Sequence, residues 1–244
     1  MKTRKLISVI PRFHALVRTM FNPTVDSSIP YSPVASATSF QVPHRSTNSV
    51  LKRAIDILGS FIGLLIVAVM FLPIAIAIRL DSPGPIFYSQ ERHGLLGKPF
   101  RIYKFRSMVD GADGLKFQVE NEAEGLIFKN RQDPRVTRVG RFLRKTSLDE
   151  LPQFWNVLRG EMSLVGTRPP TSDEVAQYAD HHWQRLNVKP GLTGEWQVNG
   201  RSMVKDFEDI VQMDLRYQTL WSPLYDLVLI ARTISVIVAR KGAF

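Results

Sequence analysis

Between Leu58 and Ile78 the chain runs for 21 residues without a charge, "LGSFIGLLIVAVMFLPIAIAI". As a helix rising 1.5 Å per residue, this is roughly 32 Å of apolar cylinder, enough to cross the hydrocarbon of a bilayer. Two features narrow what such a segment can be. Pro73 interrupts the run, and a proline inside a helix removes a backbone donor and crowds the preceding turn. Positive charge flanks both ends, with Arg45, Lys52 and Arg53 before and Arg79, Arg92, Lys98 and Arg101 after. Basic flanks tend to stay on the cytoplasmic side. A helix that enters, bends at Pro73 and returns to the same face satisfies both observations. A single span is the alternative, and a buried helix of a soluble protein is the least favoured reading.

The 244 residues allow one good core or two small domains. A formal charge of +10 points to anionic partners: phosphorylated small molecules, an acidic membrane surface or nucleic acid. There is no cysteine, which excludes disulfide, thiolate-metal and cysteine-nucleophile chemistry. Residues 1–48 are rich in Ser, Thr and Pro and carry six basic residues (Lys2, Arg4, Lys5, Arg12, Arg18, Arg45) against one acid, Asp26. This composition predicts a loosely ordered extension, with an interfacial helix in its first twenty residues as the alternative. A cleaved signal does not fit, because no long apolar core follows the charges.

Beyond the apolar run, β-prone stretches near 85–91 and 99–105 surround a Gly-rich turn and predict a hairpin. From Asp133 to Trp155 the pattern is helical, with Val139, Phe142 and Leu143 on one side and Arg138, Arg141, Arg144 and Lys145 opposite. Residues 189–202, "KPGLTGEWQVNGRS", are expected to form a loop set by Pro190, Gly191, Gly194 and Gly200. The tail 224–241 is apolar except at Asp226, Thr233 and Arg240. Those positions recur on one helix face and suit an interfacial or core-packing helix. The fold class is therefore mainly α with a short β-hairpin (α+β). The division is an extension at 1–48, a Pro-broken re-entrant helix at 49–80 and a catalytic domain at 81–244, with amphipathic helices at the membrane interface.

From Lys129 to Arg168 there are nine basic residues and only four acids, yet two of those acids are adjacent, Asp149 and Glu150 of "SLDELPQF". One reading is structural: Asp149 caps a helix whose first turn holds Pro152, and Glu150 pairs with Arg144 or Lys145. The other is chemical. Arg144 and Arg168 sit nearby in sequence, arginine forks take phosphate oxygens in pairs, and a carboxylate among them can hold Mg²⁺ or attack phosphorus.

The ordered blocks "KRAID" (52–56), "DSPGPIFYSQERHG" (81–94), "GKPFRIYKFRSM" (97–108), "DPRVTRVGRFLRKTSLDELPQFWNVLRGEMSLVGTRPP" (133–170), "KPGLTGEWQVNGR" (189–201) and the closing "KGAF" make residues 50–244 resemble the bacterial sugar transferases, monotopic polyprenyl-phosphate hexose-1-phosphate transferases. The resemblance implies that Asp149 and Glu150 are a catalytic dyad. Asp149 would be the nucleophile on the sugar-bearing phosphate of a UDP-sugar, and Mg²⁺ would sit at the dyad. UMP would leave, and undecaprenyl phosphate would collect the sugar phosphate. Glu150 would assist the metal or the second phosphate. Arg144 and Arg168 match positions associated with phosphate binding, and Lys104, Arg106 and Arg201 would line the same cleft. Pro73 would be the re-entrant device holding the enzyme on the cytoplasmic face of the bacterial inner membrane, among membrane lipids. Two departures stand out: Thr167 replaces the usual proline of "VGPRP", and Leu72 precedes Pro73 where some members carry a small polar residue.

A membrane-anchored phosphohydrolase working through an aspartyl-phosphate would share the dyad. A module that binds nucleic acid or acidic lipid would share the charge; "FRIYKFR" interleaves aromatics with cations, but hairpin core packing explains that alternation equally well. No nucleic-acid partner is expected.

Overall fold

The computed structural model describes residues 42–200 and 203–239. Expectations for residues 1–41, for Arg201 and for Arg240 lie outside them. The folded part is under way before residue 49. A 3₁₀ turn at Arg45–Asn48 buries Ser46, and the backbone N–H of His44 donates to Asn187 O at 2.8 Å. Arg45 donates to Trp221 O at 2.9 Å while its guanidinium lies over the Trp221 ring.

Helix α1, Val50–Asp81, begins at Ser49, whose hydroxyl accepts from Lys52 N. The predicted break at Pro73 is not found as an end of the helix: Pro73 lies inside one helix of 32 residues. Neighbours in an apolar setting tolerate the missing donor, and Ile74, Ala75 and Ile78 on the next turn are buried. The buried positions Lys52, Asp56, Ser60, Gly63, Ile74 and Ile78, with Val67, Met70 and Phe71 partly covered between them, recur every three or four residues. One stripe of the helix is thus held against the body from end to end. The opposite face presents Leu58, Phe61, Ile62, Leu65, Val69, Leu72, Ile76 and Leu80, all exposed.

Close approach needs small residues on the held stripe. A side chain at Gly63 would run into the Phe154 ring, and one at Gly59 into Leu164. Gly63→Val is therefore expected to cost about 1–3 kcal/mol through overpacking. Thermal unfolding in detergent checks this against Ala68→Val on the exposed face, where no loss is expected.

The hairpin forms as predicted. Strands β1 (Phe87–His93) and β2 (Pro99–Phe105) pair antiparallel, from Phe87 opposite Phe105 to His93 opposite Pro99. Phe71, Phe87 and Phe105 stack in series at 5.7 and 5.4 Å between centroids, binding the hairpin to α1. The helical pattern of 133–155 proves to be three pieces: α2 (Arg138–Thr146), a 3₁₀ segment (Leu148–Gln153) and α3 (Phe154–Arg159). Ser147 breaks it by adopting φ 57, a left-handed conformation uncommon outside glycine. On α2 Leu143 is buried, but Phe142 is exposed rather than on the core side. It lies one turn from Arg138 and Lys145, on the basic face.

The expected loop at 189–202 contains strand β4 (Gly191–Thr193), parallel to β3 (Ser163–Val165), and the short helix α5 (Glu195–Val198), which follows α4 (Ser172–Val175) in chain order. Helices α6 (Phe207–Leu220) and α7 (Pro223–Val238) complete the body. The polar stripe on α7 faces inward: Thr233 meets Thr193 at 2.7 Å, and Asp226 is buried. The carboxylate of Asp226 accepts from Lys52 at 2.7 Å, Tyr217 at 2.8 Å and Trp221 Nε1 at 3.1 Å. The first and last helices described are thereby joined.

Candidate active site

The left-handed turn at Ser147 starts the 3₁₀ segment, which sets Asp149 and Glu150 side by side under strand β2. Asp149 is buried in the first turn of the 3₁₀ segment, whose N-cap position is held by Ser147, so the cap reading fails. Strand alternation sends Phe105 into the core and turns Lys104 the other way. Lys104 Nζ donates to Glu150 Oε1 at 2.8 Å, so Glu150 pairs across the strand and not with Arg144 or Lys145 as the structural reading expected.

Dyad and cations open on one cavity of about 550 Å³. Arg144 borders it and donates from Nε to Ser107 Oγ at 3.0 Å. Arg168 reaches it through the "GTRPP" turn and is gripped in a fork by Glu174, at 2.7 and 2.9 Å. Burial alone would raise the Glu174 carboxyl, but the adjacent Arg168 outweighs it and holds the group below its ordinary value. Arg106 also borders the cavity; it is buried, and its two terminal nitrogens each donate to a carbonyl, those of Pro83 and Ser82. These bonds tie down the loop leaving α1 beside the cavity.

Four lining cations, Arg92, Lys116, Lys129 and Arg135, were missed in the sequence; Lys116 pairs with Asp173 and Arg135 with Asp133. Arg92 donates to Pro169 O at 3.0 Å, and its pKa is drawn down to about 10 by burial and by Arg168. Lys129 lies against the Trp196 ring, and burial, then Arg168, lowers its pKa to about 8. Neither had a local signal: Arg92 lies in a strand, and Lys129 is brought in by an irregular segment. A second cleft of about 160 Å³ adjoins the first and shares Arg92, Lys104, Glu150 and Arg168, with Trp196 and Gln197 on its wall. Six cations (Arg92, Lys104, Lys116, Lys129, Arg144 and Arg168) therefore line the larger cavity in addition to Arg106 and Arg135. That excess suits a ligand with several phosphate charges.

Lys129 sets a pH dependence. As pH rises through about 8 its ammonium loses a proton and the cavity loses a cation. The apparent KM for an anionic donor is expected to rise between pH 7 and 9, measured by initial rates. Lys129→Arg should flatten that rise. The sign for stability is opposite: the folded chain holds this proton less tightly than the unfolded chain, so stability increases as pH climbs above 8.

His181, His182 and Glu208 also stand close enough to hold an ion. However, His182 Nδ1 accepts from Ala179 N–H at 3.0 Å, which leaves the proton of the neutral ring on Nε2, 2.6 Å from Glu208. Metal binding through Nε2 would break the Ala179 bond, so the geometry favours a hydrogen-bonded brace.

The model of a family described as bacterial sugar transferase matches residues 47–240, and the chain belongs to that family. Among similar proteins, the galactosyl transferase CpsE of Streptococcus agalactiae is 45% identical over 87% of this chain and 47% of its own length. The undecaprenyl-phosphate galactose phosphotransferase of Salmonella typhimurium is 38% identical over 98% of this chain and 50% of its own. The chain thus spans about half the length of these two. The exopolysaccharide production protein ExoY of Sinorhizobium fredii is 37% identical over 86% of this chain and 97% of its own.

Proposed function

We propose that this protein transfers a sugar 1-phosphate, most simply a hexose 1-phosphate, from a UDP-sugar to undecaprenyl phosphate, releasing UMP and opening the assembly of an exopolysaccharide, capsule or O-antigen. The observation that carries this reading is the buried Asp149 beside Glu150 at a cavity lined by eight cations against five acids. The family, and the relatives' names, support it.

In the first step a carboxylate oxygen of Asp149 attacks the sugar-bearing phosphorus. An Asp–O–P bond forms, the bond to the bridging oxygen breaks, and UMP departs with the electron pair. In the second step an oxygen of undecaprenyl phosphate attacks the same phosphorus, and Asp149 leaves as carboxylate. Arg144, Arg168 and Lys129 would hold phosphate oxygens through both steps. Lys104 orients Glu150 through its 2.8 Å contact with Oε1. Because both substrates present a phosphate, one cation-lined cavity can serve them in turn.

Asp149 and Glu150 offer two hard oxygen donors side by side. This donor set fits Mg²⁺, which takes one or two carboxylates and completes its shell with water and substrate phosphate. Bound there, the ion would mask phosphate charge.

The lipid acceptor must meet a water-soluble donor at a boundary. Helix α1 supports a monotopic placement: its outer face is apolar up to Arg79 in the last turn, while its inner stripe is held by the body near both ends. A span running straight through a bilayer could not keep one cytoplasmic body against both halves. The basic flanks favour the cytoplasmic face of the inner membrane for that body.

Membrane fractions given a panel of UDP-hexoses, with and without undecaprenyl phosphate, test the proposal. Lipid-dependent UMP release is expected. Steady release of sugar phosphate into water without lipid would instead identify the phosphohydrolase.

A further inference from the structure

At the far end of α3 from the dyad, two cations meet over a glycine. Gly160 closes the helix at φ 82. A methyl group on its Cα would stand 3.6 Å from Arg53 Cζ and Nη2 and 3.6 Å from Lys189 Nζ. The two charged ends are therefore at most twice that distance apart. Arg53 gives one donor each to Val157 O and Leu158 O, at 2.8 and 2.6 Å, leaving three of its five N–H groups. Lys189 is half-buried and forms no ion pair with a described residue. Burial, then Arg53, lowers its pKa. The acid acting on it is Asp56, whose Oδ1 already accepts from Ser163 Oγ at 2.9 Å and Leu164 N at 2.8 Å. Arg159, next in the chain to Gly160, has its own partner in Glu161 at 3.2 Å.

A half-buried ammonium facing a guanidinium, with no carboxylate in contact, is an arrangement that an anion with several oxygens relieves. Arg53 also stands five residues before Leu58, about 8 Å along the helix from the start of the apolar run. If that run lies in hydrocarbon, Arg53 lies at headgroup level.

We propose that Arg53 and Lys189 form, over Gly160, a binding notch for a phosphate group, separate from the transfer site and filled at the membrane by a phospholipid headgroup. The headgroup as source rests on the membrane placement given above; the phosphate chemistry does not.

The test is the Tm of the full chain in detergent at constant ionic strength. Its arms are dihexanoyl-phosphatidylglycerol, inorganic phosphate, and dihexanoylglycerol as a phosphate-free lipid. The phosphatidylglycerol should raise the Tm of the wild type by about 3 °C and leave Lys189→Gln unmoved. Lys189→Gln should fold at least as stably as the wild type without phosphate, since it removes a repelled cation, and should transfer sugar phosphate at the wild-type rate. Arg53→Lys, which keeps the charge and loses the fork, should need about tenfold more lipid for the same rise. An equal rise with inorganic phosphate supports the notch and removes the lipid as its source. Equal shifts in wild type and Lys189→Gln, or none in either, would overturn it. Loss of lipid-dependent UMP release with the Tm difference intact would sink the proposed transfer reaction and leave the notch standing.

Discussion

Asp149→Asn is expected to lower lipid-dependent UMP release by at least about 10³-fold while leaving the melting profile near that of the wild type. The amide keeps the shape of the side chain and loses the nucleophile, and losses of this size are typical when a covalent catalyst is removed. Two measurements separate a chemical role from a structural one. Intact-mass analysis with donor alone should show the wild type gaining one sugar phosphate, and Asp149→Asn none. Donor affinity should fall far less than turnover, because the lining cations remain. Undiminished turnover in the variant would refute the nucleophile assignment. Glu150→Gln should be milder: it weakens the Lys104 contact and one oxygen donor but leaves Asp149 in place.

Asp226→Ala is expected to cost about 3–5 kcal/mol, the usual penalty for leaving a buried charge without its partner. The pair it breaks is nearly solvent-free, with side-chain exposures of 7% for Lys52 and 2% for Asp226. Lys52 would keep only Val165 O and Tyr217 OH, neither of them charged. Thermal and denaturant melts of the detergent-solubilised chain measure the loss. The double variant Lys52→Met/Asp226→Leu should recover most of it, since replacing a buried ion pair by apolar groups is often neutral. If the double variant is as unstable as the single one, the polar network around Tyr217 and Trp221 matters more than the charge pair.

Local patterns in the sequence carried the readings that succeeded. The charge-free run from Leu58 predicted a long apolar helix, and the β-prone stretches on either side of a Gly-rich turn predicted the hairpin. The dyad stood out because adjacent acids are anomalous in a basic stretch. What failed depended on distant partners or rare conformations. Ser147 gives no sign that it will turn left-handed, so one helical pattern became three pieces. Strands β3 and β4 are three residues each and pair in parallel, so neither signals the other. Lys129 and Arg92 join the cavity through tertiary placement alone. Arg201 lies outside the described residues.

The bond between Lys52 and Asp226 closes a loop of 174 positions. A ribosome releases the cation long before its counter-ion, so the anchor emerges with a charge it cannot yet neutralise. Nascent chains halted short of residue 226 should be clipped more readily by protease than finished ones. Biogenesis thus makes secure seating at the bilayer conditional on finishing translation.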